Sequence, residues 1–254
     1  MFIADFHIHS TYSDGRLTIR EICDYFGQQD IKAIAITDHL VEESSMIGKI
    51  ARFFNKSLSR DTFPIYMDEI KHEADRAWKL YEMLVIPGLE ITKNQISNDQ
   101  SAHILALGVE KYVVPDNTFV EIINDIHQQN GIAIAAHPVD TKTIEKQHLR
   151  LWNEREVLKN YFDAWEVASG AVLLEEVIKE QLPVIANSDF HDKVHINSWK
   201  NVFNCTVDKD EIFCSIKKQD LSFMFYKAQR VNTKMKSILK INNQIEMRWA
   251  HSQI

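Results

Sequence analysis

Ile3-Ala4-Asp5-Phe6-His7-Ile8-His9 is the stretch whose reading decides the fold. An apolar run ends in two histidines two residues apart. On a strand, positions i and i+2 face the same side, so His7 and His9 offer two imidazoles to one point. Neutral imidazole and carboxylate are the ligands of catalytic divalent metals. Taken alone, such a pair is a weak signal. Outward from it, similar motifs recur at the predicted ends of apolar strands: Thr37-Asp38-His39, Pro87-Gly88-Leu89-Glu90, Ser101-Ala102-His103, Ala136-His137-Pro138 and Ser188-Asp189-Phe190-His191. Six of the eleven histidines fall in these motifs. Strands that each deliver such a group at one end point to a metal-dependent enzyme built on a barrel.

Apolar runs bounded by breakers predict strands over 3–7, 33–37, 84–89, 103–107, 132–136, 164–168 and 184–187. Their near-continuous apolarity fits strands buried on both faces. Helical spacing lies between most of them. Residues 18–29, just after Leu17, carry Ile19, Ile22 and Phe26 at helical spacing with it, with Thr18 as N-cap and Glu21 three residues on. Residues 117–129 repeat the pattern, with Gly131 as a stop, and 172–179 make a shorter third helix. Alternating strands and helices imply right-handed βαβ units, and seven strands favour a closed or nearly closed barrel. The link from Ile91 to Ala102 is too short and polar for a crossover helix, so the alternation is expected to break there.

The barrel domain is expected over residues 1–227. Within it, residues 42–82 form an insertion carrying Lys49, Arg52, Phe53, Phe54, Lys56 and Arg60, then a helix over 66–81. It reads either as rim packing or as a lid, since loops after barrel strands surround the active face. Residues 228–254 form a basic tail with Arg230, Lys234, Lys236, Lys240 and Arg248, read as a surface helix or a partly disordered segment with a solvated charged face. The net charge of −7 argues against a dedicated duplex nucleic-acid binder. Cys23, Cys205 and Cys214 form no CxxC pair and read as free, mostly packing thiols of a reducing compartment. The first residues lack a signal-peptide pattern, and no apolar run reaches the length of a membrane span, so a cytoplasmic location and no membrane partner are expected.

The ligand candidates are His7, His9, His39, Glu90, His103, His137, Asp189 and His191, with Asp14 as a ninth. Asp189 and His191 repeat the i, i+2 spacing at the end of the last strand. A closed barrel makes first and last strands neighbours, so the two pairs would face each other. One catalytic zinc takes about three protein ligands, so this set predicts two or three divalent ions with Glu90 as a bridge. Ions about 3.5–4 Å apart can share a hydroxide in phosphoryl displacement. Asp5 is placed to orient an imidazole, and Gly88 to leave room beside a metal.

These residues resemble the signature of the polymerase and histidinol phosphatase (PHP) family: Asp5-Phe6-His7-Ile8-His9-Ser10, Ser13-Asp14-Gly15, Ile36-Thr37-Asp38-His39, Pro87-Gly88-Leu89-Glu90-Ile91, His103, Ala136-His137-Pro138 and Ser188-Asp189-Phe190-His191. The resemblance runs from residue 3 to about 205, with motifs in the family's order. It implies a distorted (β/α)7 barrel, amidohydrolase-like, with a trinuclear site at the C-terminal ends of the strands, and phosphoester hydrolysis. It assigns the eight ligands above, and Asp14 falls where members carry a further histidine or aspartate; the other reading of Ser13-Asp14-Gly15 is a turn with an Asx cap. The Ser-Asp-Gly form resembles the small stand-alone phosphoesterases more than the histidinol phosphatases. Asp38 and His195 are candidate catalytic groups. Arg16, Lys93 and Lys193, with His195, are candidates to hold substrate phosphate; their other reading is solvated surface charge. Trp199 is expected to pack rather than stack on a base. His72, His127, His148 and His251 have no assigned role.

The expectation is a phosphoesterase acting on a small phosphomonoester or nucleotide with zinc, manganese or iron. Its rivals are an exonuclease on short oligonucleotides or RNA 5′ ends, a non-catalytic metal-binding PHP module, and amidohydrolase chemistry, for which no carbamylated-lysine ligand is evident.

Overall fold

Thr18 and Thr118 open two helices by the same device. Each threonine side chain accepts the N–H of a glutamate three residues on, and that glutamate's carboxylate accepts the threonine's own N–H. The reciprocal bonds satisfy otherwise orphaned donors and start α1 (Ile19–Gln28) and, later in the chain, α3 (Phe119–Gln128). The computed structural model describes residues 1–44, 56–95, 97–139 and 149–228, with the backbone of a short strand, Leu239–Lys240.

Around these helices runs β1 (Phe2–Asp5), β2 (Ala33–Ile36), β3 (His39–Val41), α2 (Phe63–Tyr81), β4 (Leu84–Lys93), β5 (Ala102–Leu107), β6 (Ile132–Ala135), α4 (Arg150–Asn153), α5 (Arg155–Leu158), β7 (Ala164–Ser169), β8 (Val172–Leu173), α6 (Glu175–Lys179), β9 (Val184–Asn187), β10 (Trp199–Phe203), α7 (Lys209–Lys218), β11 (Leu221–Phe225) and β12 (Leu239–Lys240). The strands join into one curled half-barrel sheet of mixed direction, in the order β12-β11-β10-β1-β2-β4-β5-β6-β7-β8, with β3 on β4 and β9 on β7. Strands such as β2 (AIAI) and β6 (IAIA) are buried at every position, as their unbroken apolarity predicts.

The (β/α) rhythm breaks where the short link from Ile91 to Ala102 demands it: β5 runs antiparallel to both of its neighbours, β4 and β6. The two ends of the barrel meet without a ladder between β1 and β9. Instead Ile8 and Phe190, just beyond those strands, form a parallel bridge, and β1 pairs antiparallel with β10. The expected helix over 172–179 is shorter: Val172–Leu173 pairs with β7, and only Glu175–Lys179 is helical. Beyond the predicted strands, β10 and β11 form a further antiparallel pair flanking α7, which Asp208 caps.

The insertion helix α2 starts three residues earlier than expected and packs on α1 through Arg76, which pairs with Asp24 and Glu73. Lys49, Arg52, Phe53 and Phe54 lie outside the described residues, as do 140–148 with His148, His251 and Arg230, Lys234, Lys236 and Arg248 of the tail. Among the described residues no helix is long and apolar enough to cross a membrane.

Asp5 takes a different part from the one expected of it. Rather than an imidazole, it pairs with fully buried Lys200 at 2.7 Å and accepts the N–H and hydroxyl of Ser188 at 3.0 and 2.5 Å. Burial pulls the Lys200 pKa below that of an ordinary lysine, and the Asp5 carboxylate works against that. Removing one partner of a buried pair strands the other's charge. Lys200→Ala is therefore expected to cost about 3–5 kcal/mol of stability, read as a fall in the denaturation midpoint; an unchanged midpoint would show that Asp5 does not need its cation.

Candidate metal centre

The bridge between Ile8 and Phe190 builds the heart of the site. Phe190 donates its N–H to the His7 carbonyl at 2.9 Å, and His9 donates to the Phe190 carbonyl at 2.8 Å. Ile8 and Phe190 are fully buried in the core, Phe190 edge-on to Phe26. The flanking residues therefore face the opposite way: His7 and His9 from one segment, Asp189 and His191 from the other. His7 Nε2 and His9 Nε2 lie 3.2 and 3.3 Å from the same Asp189 oxygen, and the His9 and His191 rings stack at 4.1 Å.

Sheet register adds the rest. Cross-strand pairing sets His39 at the start of β3 opposite Glu90 in β4, with 2.8 Å between His39 Nδ1 and Glu90 Oε2. His103, near the start of antiparallel β5, brings Nδ1 to 2.8 Å from Glu90 Oε1, while its Nε2 meets Asn94 Oδ1 at 3.0 Å. His137 follows β6 and places Nε2 3.1 Å from Glu90 Oε1. Asp14 arrives on the loop after the first segment, 3.1 Å from His191 Nε2 and 3.6 Å from His39 Nε2. All nine expected ligands are thus brought into one cluster. It resolves into overlapping groups: His9, Asp14, His39 and His191; His7, His137 and Asp189; His7, His9 and Glu90; and His39, Glu90 and His103.

Whether the cluster fits metal can be tested on its buried atoms. Among the described residues His7 Nε2, His9 Nε2, Glu90 Oε2 and Asp189 Oδ1 are buried without a hydrogen-bond partner. Buried polar atoms are normally satisfied. Here His7 donates from Nδ1 to Glu166 at 3.0 Å, so the neutral ring presents an Nε2 lone pair to carboxylate oxygens that also carry only lone pairs. Acceptors converging on acceptors need a cation between them, and the nitrogen and oxygen donor set suits zinc, iron or manganese.

The electrostatics agree. Burial raises the cost of charge on Glu90, yet His103, His39 and His7 hold its carboxyl well below the ordinary range. Burial also opposes charge on His7, but Asp189, Glu166 and Glu90 raise its pKa well above that of a free imidazole, so without metal a proton on Nε2 fills the place between these acceptors that a divalent ion would take. His9, buried and beside His191 and His39, is pushed down to about 3. Two ligands sit on backbone that side chains rarely adopt, His137 at φ +25° and Asp189 at φ +52°; such strain clusters at functional sites.

The other expected residues are placed differently. Asp38 joins none of the ligand groups. Its buried carboxylate accepts the N–H and hydroxyl of Ser10 at 2.8 and 2.6 Å and the hydroxyl of Ser13 at 2.5 Å, which fixes the loop carrying Asp14. Gly88 leaves room for main chain rather than metal: a Cβ there would meet the Ala106 carbonyl at 2.8 Å. His195 accepts the His191 N–H at Nδ1, 3.0 Å away. Arg16, largely exposed, pairs with Asp192 at 2.7 Å. Lys93 is buried against Glu42 at 2.8 Å. Lys193 is exposed, 5.5 Å over the Tyr25 ring, and Trp199 packs edge-on against Phe225. Sequence reading missed Glu166, the buried partner of His7. A lone carboxylate within Ala164-Trp165-Glu166-Val167 was the available signal, because an ionisable group in an all-buried strand needs a partner.

A PHP domain family model matches residues 5–175, and the chain belongs to that family. Among solved structures, a two-domain protein from Bacteroides vulgatus, described as containing a predicted PHP-like metal-dependent phosphoesterase, has a TM-score of 0.65 at 18% identity. The match covers 89% of this chain and 65% of that one, so this chain spans less than two thirds of its length. An amidohydrolase from Chromobacterium violaceum, solved with bound sulfate and no metal, has a TM-score of 0.48 at 17% identity, over 74% of this chain and 87% of that one. A candidate histidinol phosphatase from Listeria monocytogenes has a TM-score of 0.47 at 13% identity, over 76% and 97%. No curated protein matches the sequence.

Proposed function

We propose that this chain is a metal-dependent phosphoesterase that hydrolyses a small phosphomonoester or nucleotide. The carrying observation is the convergence of four buried, unpartnered ligand atoms on His7, His9, Glu90 and Asp189. The overlapping ligand groups would hold two or three divalent ions, with Glu90 shared between groups. Bound there, such ions stabilise charge on phosphoryl oxygens and make water acidic enough to ionise near neutral pH.

The chain's own groups supply the rest. Glu90 and Asp189 enter as ionised carboxylates, held so by the surrounding imidazoles. Neutral His195 accepts the His191 N–H at Nδ1, which places its own proton on Nε2. That proton is available to a phosphoryl oxygen or a leaving alkoxide. Arg16 and Lys193 flank the same edge and attract the substrate phosphate, while Asp192 holds the guanidinium in place. Lys93 acts through its pair with Glu42. Asp38 keeps Asp14 in position through Ser10 and Ser13. The partner is a small phosphorylated molecule in the cytoplasm.

A panel of phosphoesters assayed with manganese and with zinc tests the reading. Monophosphates are expected to give a higher kcat/KM than dinucleotides. Turnover that rises with oligonucleotide length and falls steeply with salt would instead mark a nuclease groove. Metal binding without turnover of any phosphoester would leave a non-catalytic module.

A further inference from the structure

One fully buried carboxylate outside the ligand groups touches more of the site than any rim residue. Glu166, on β7, accepts the Nδ1–H of His7 at 3.0 Å and the side-chain amide of Asn187 at 2.9 Å on Oε1. Its Oε2 accepts the main-chain N–H of His137 at 2.7 Å. Asn187 is fixed in turn: its Oδ1 accepts the Phe6 N–H at 3.0 Å and the Asn201 amide at 3.1 Å, and Asn201 bonds both main-chain groups of Ala186. The carboxylate is therefore anchored to four strand segments and cannot swing.

Three donors and no acceptor face this carboxylate, which has consequences for the two ligands it touches. A neutral imidazole carries one proton, and a hydrogen bond at one nitrogen leaves the lone pair on the other. With Nδ1–H committed to Glu166, His7 presents its Nε2 lone pair to Asp189 and Glu90. The bond to His137 N meets a residue held at φ +25°, so the same side chain secures a conformation the backbone would otherwise leave. Carboxylate partners of this kind raise ligand basicity and fix ring orientation.

Resting on the metal-site reading above, the geometry points to Glu166 as the positioning residue of the centre, setting the His7 tautomer and the His137 backbone so that both ligands are ready for metal. It joins none of the ligand groups, and all three of its hydrogen-bond partners are donors that tie it to the supporting strands.

Glu166→Gln tests this at constant volume. The amide has one accepting end, so its NH2 must face a donor, either His7 Nδ1–H or His137 N–H. Zinc affinity by chelator competition is expected to fall about 10–100-fold, the usual cost of losing such a partner. In the zinc-loaded wild type, long-range proton–nitrogen correlation spectra should show His7 protonated at Nδ1 and metal-bound through Nε2. This measurement needs no variant to fold. Finding His7 bound through Nδ1 would overturn the proposal. So would wild-type affinity in Glu166→Gln, or weaker affinity explained by an equal loss of stability in the metal-free variant. A wild type that binds no metal would instead overturn the reading of the centre itself.

Discussion

A chain with His7 and His9 both replaced by alanine is expected to retain at most one divalent ion and to show no phosphoester hydrolysis above buffer controls. Each histidine gives an Nε2 atom to the unpartnered set at the centre, and between them they enter three of the four ligand groups. Their replacement leaves Asp189 Oδ1, which lies within 3.3 Å of both rings, without its facing nitrogens. The backbone that carries them is held independently, by the Ile8–Phe190 bridge and by Ile8 N–H on the Thr37 hydroxyl at 3.0 Å. The variant should therefore fold, and its circular dichroism can be compared directly with the wild type. Metal content by elemental analysis and turnover of the best phosphoester are the two readings. Full activity in this variant would sink the mechanism, since two unrelated side-chain losses at the most buried part of the cluster would then be irrelevant to it.

Much of this site was legible because strand geometry turns spacing into direction. His7 with His9 and Asp189 with His191 each alternate with a core residue, Ile8 or Phe190, and burying the apolar one leaves its neighbours no choice of side. Register was harder to read. The sequence shows that His39 and Glu90 follow apolar runs, but not that β4 pairs first with β2 and then, in the same register, with a separate short strand that sets His39 across from Glu90. The change to antiparallel pairing at β5 was foreseeable from the short polar link after Ile91. It places His103 near the beginning of its strand, at the same end of the sheet where His137 leaves β6.

Partners of buried charges stayed hidden for a different reason. Asp5 sits beside the His7 motif in the chain, yet its cation, Lys200, lies in a strand that carries no motif. Glu166 serves His7 across 159 positions of sequence. Nothing in local spacing encodes such pairs; only the demand that a buried carboxylate find donors does. Asp38 shows the same limit. Adjacency to His39 suggests catalysis, whereas its hydrogen bonds run back to Ser10 and Ser13 and shape the Asp14 loop.

Glu90→Gln is expected to have the second large effect, and it separates a shared ligand from a merely nearby one. The Glu90 carboxylate lies within 3.5 Å of nitrogens of His7, His9, His39, His103 and His137. No other carboxylate among the described residues pairs with so many imidazoles. Glutamine keeps the volume and one oxygen but removes the charge and turns a second oxygen into a donor. That NH2 would face Nδ1 of His39 or the cluster around His103 and His137, where a metal needs an acceptor. If Glu90 bridges two ions, losing it must release at least one of them, and the remaining ion must lose affinity as well. Activity should then fall by more than the about 10–100-fold expected for losing a supporting hydrogen-bond partner, and elemental analysis should show fewer ions per chain than in the wild type. A drop in activity at unchanged metal content would show that Glu90 does not bridge. Wild-type behaviour in both readings would mean that the imidazoles alone hold the ions, and the most buried carboxylate of the cluster would then serve only to balance charge.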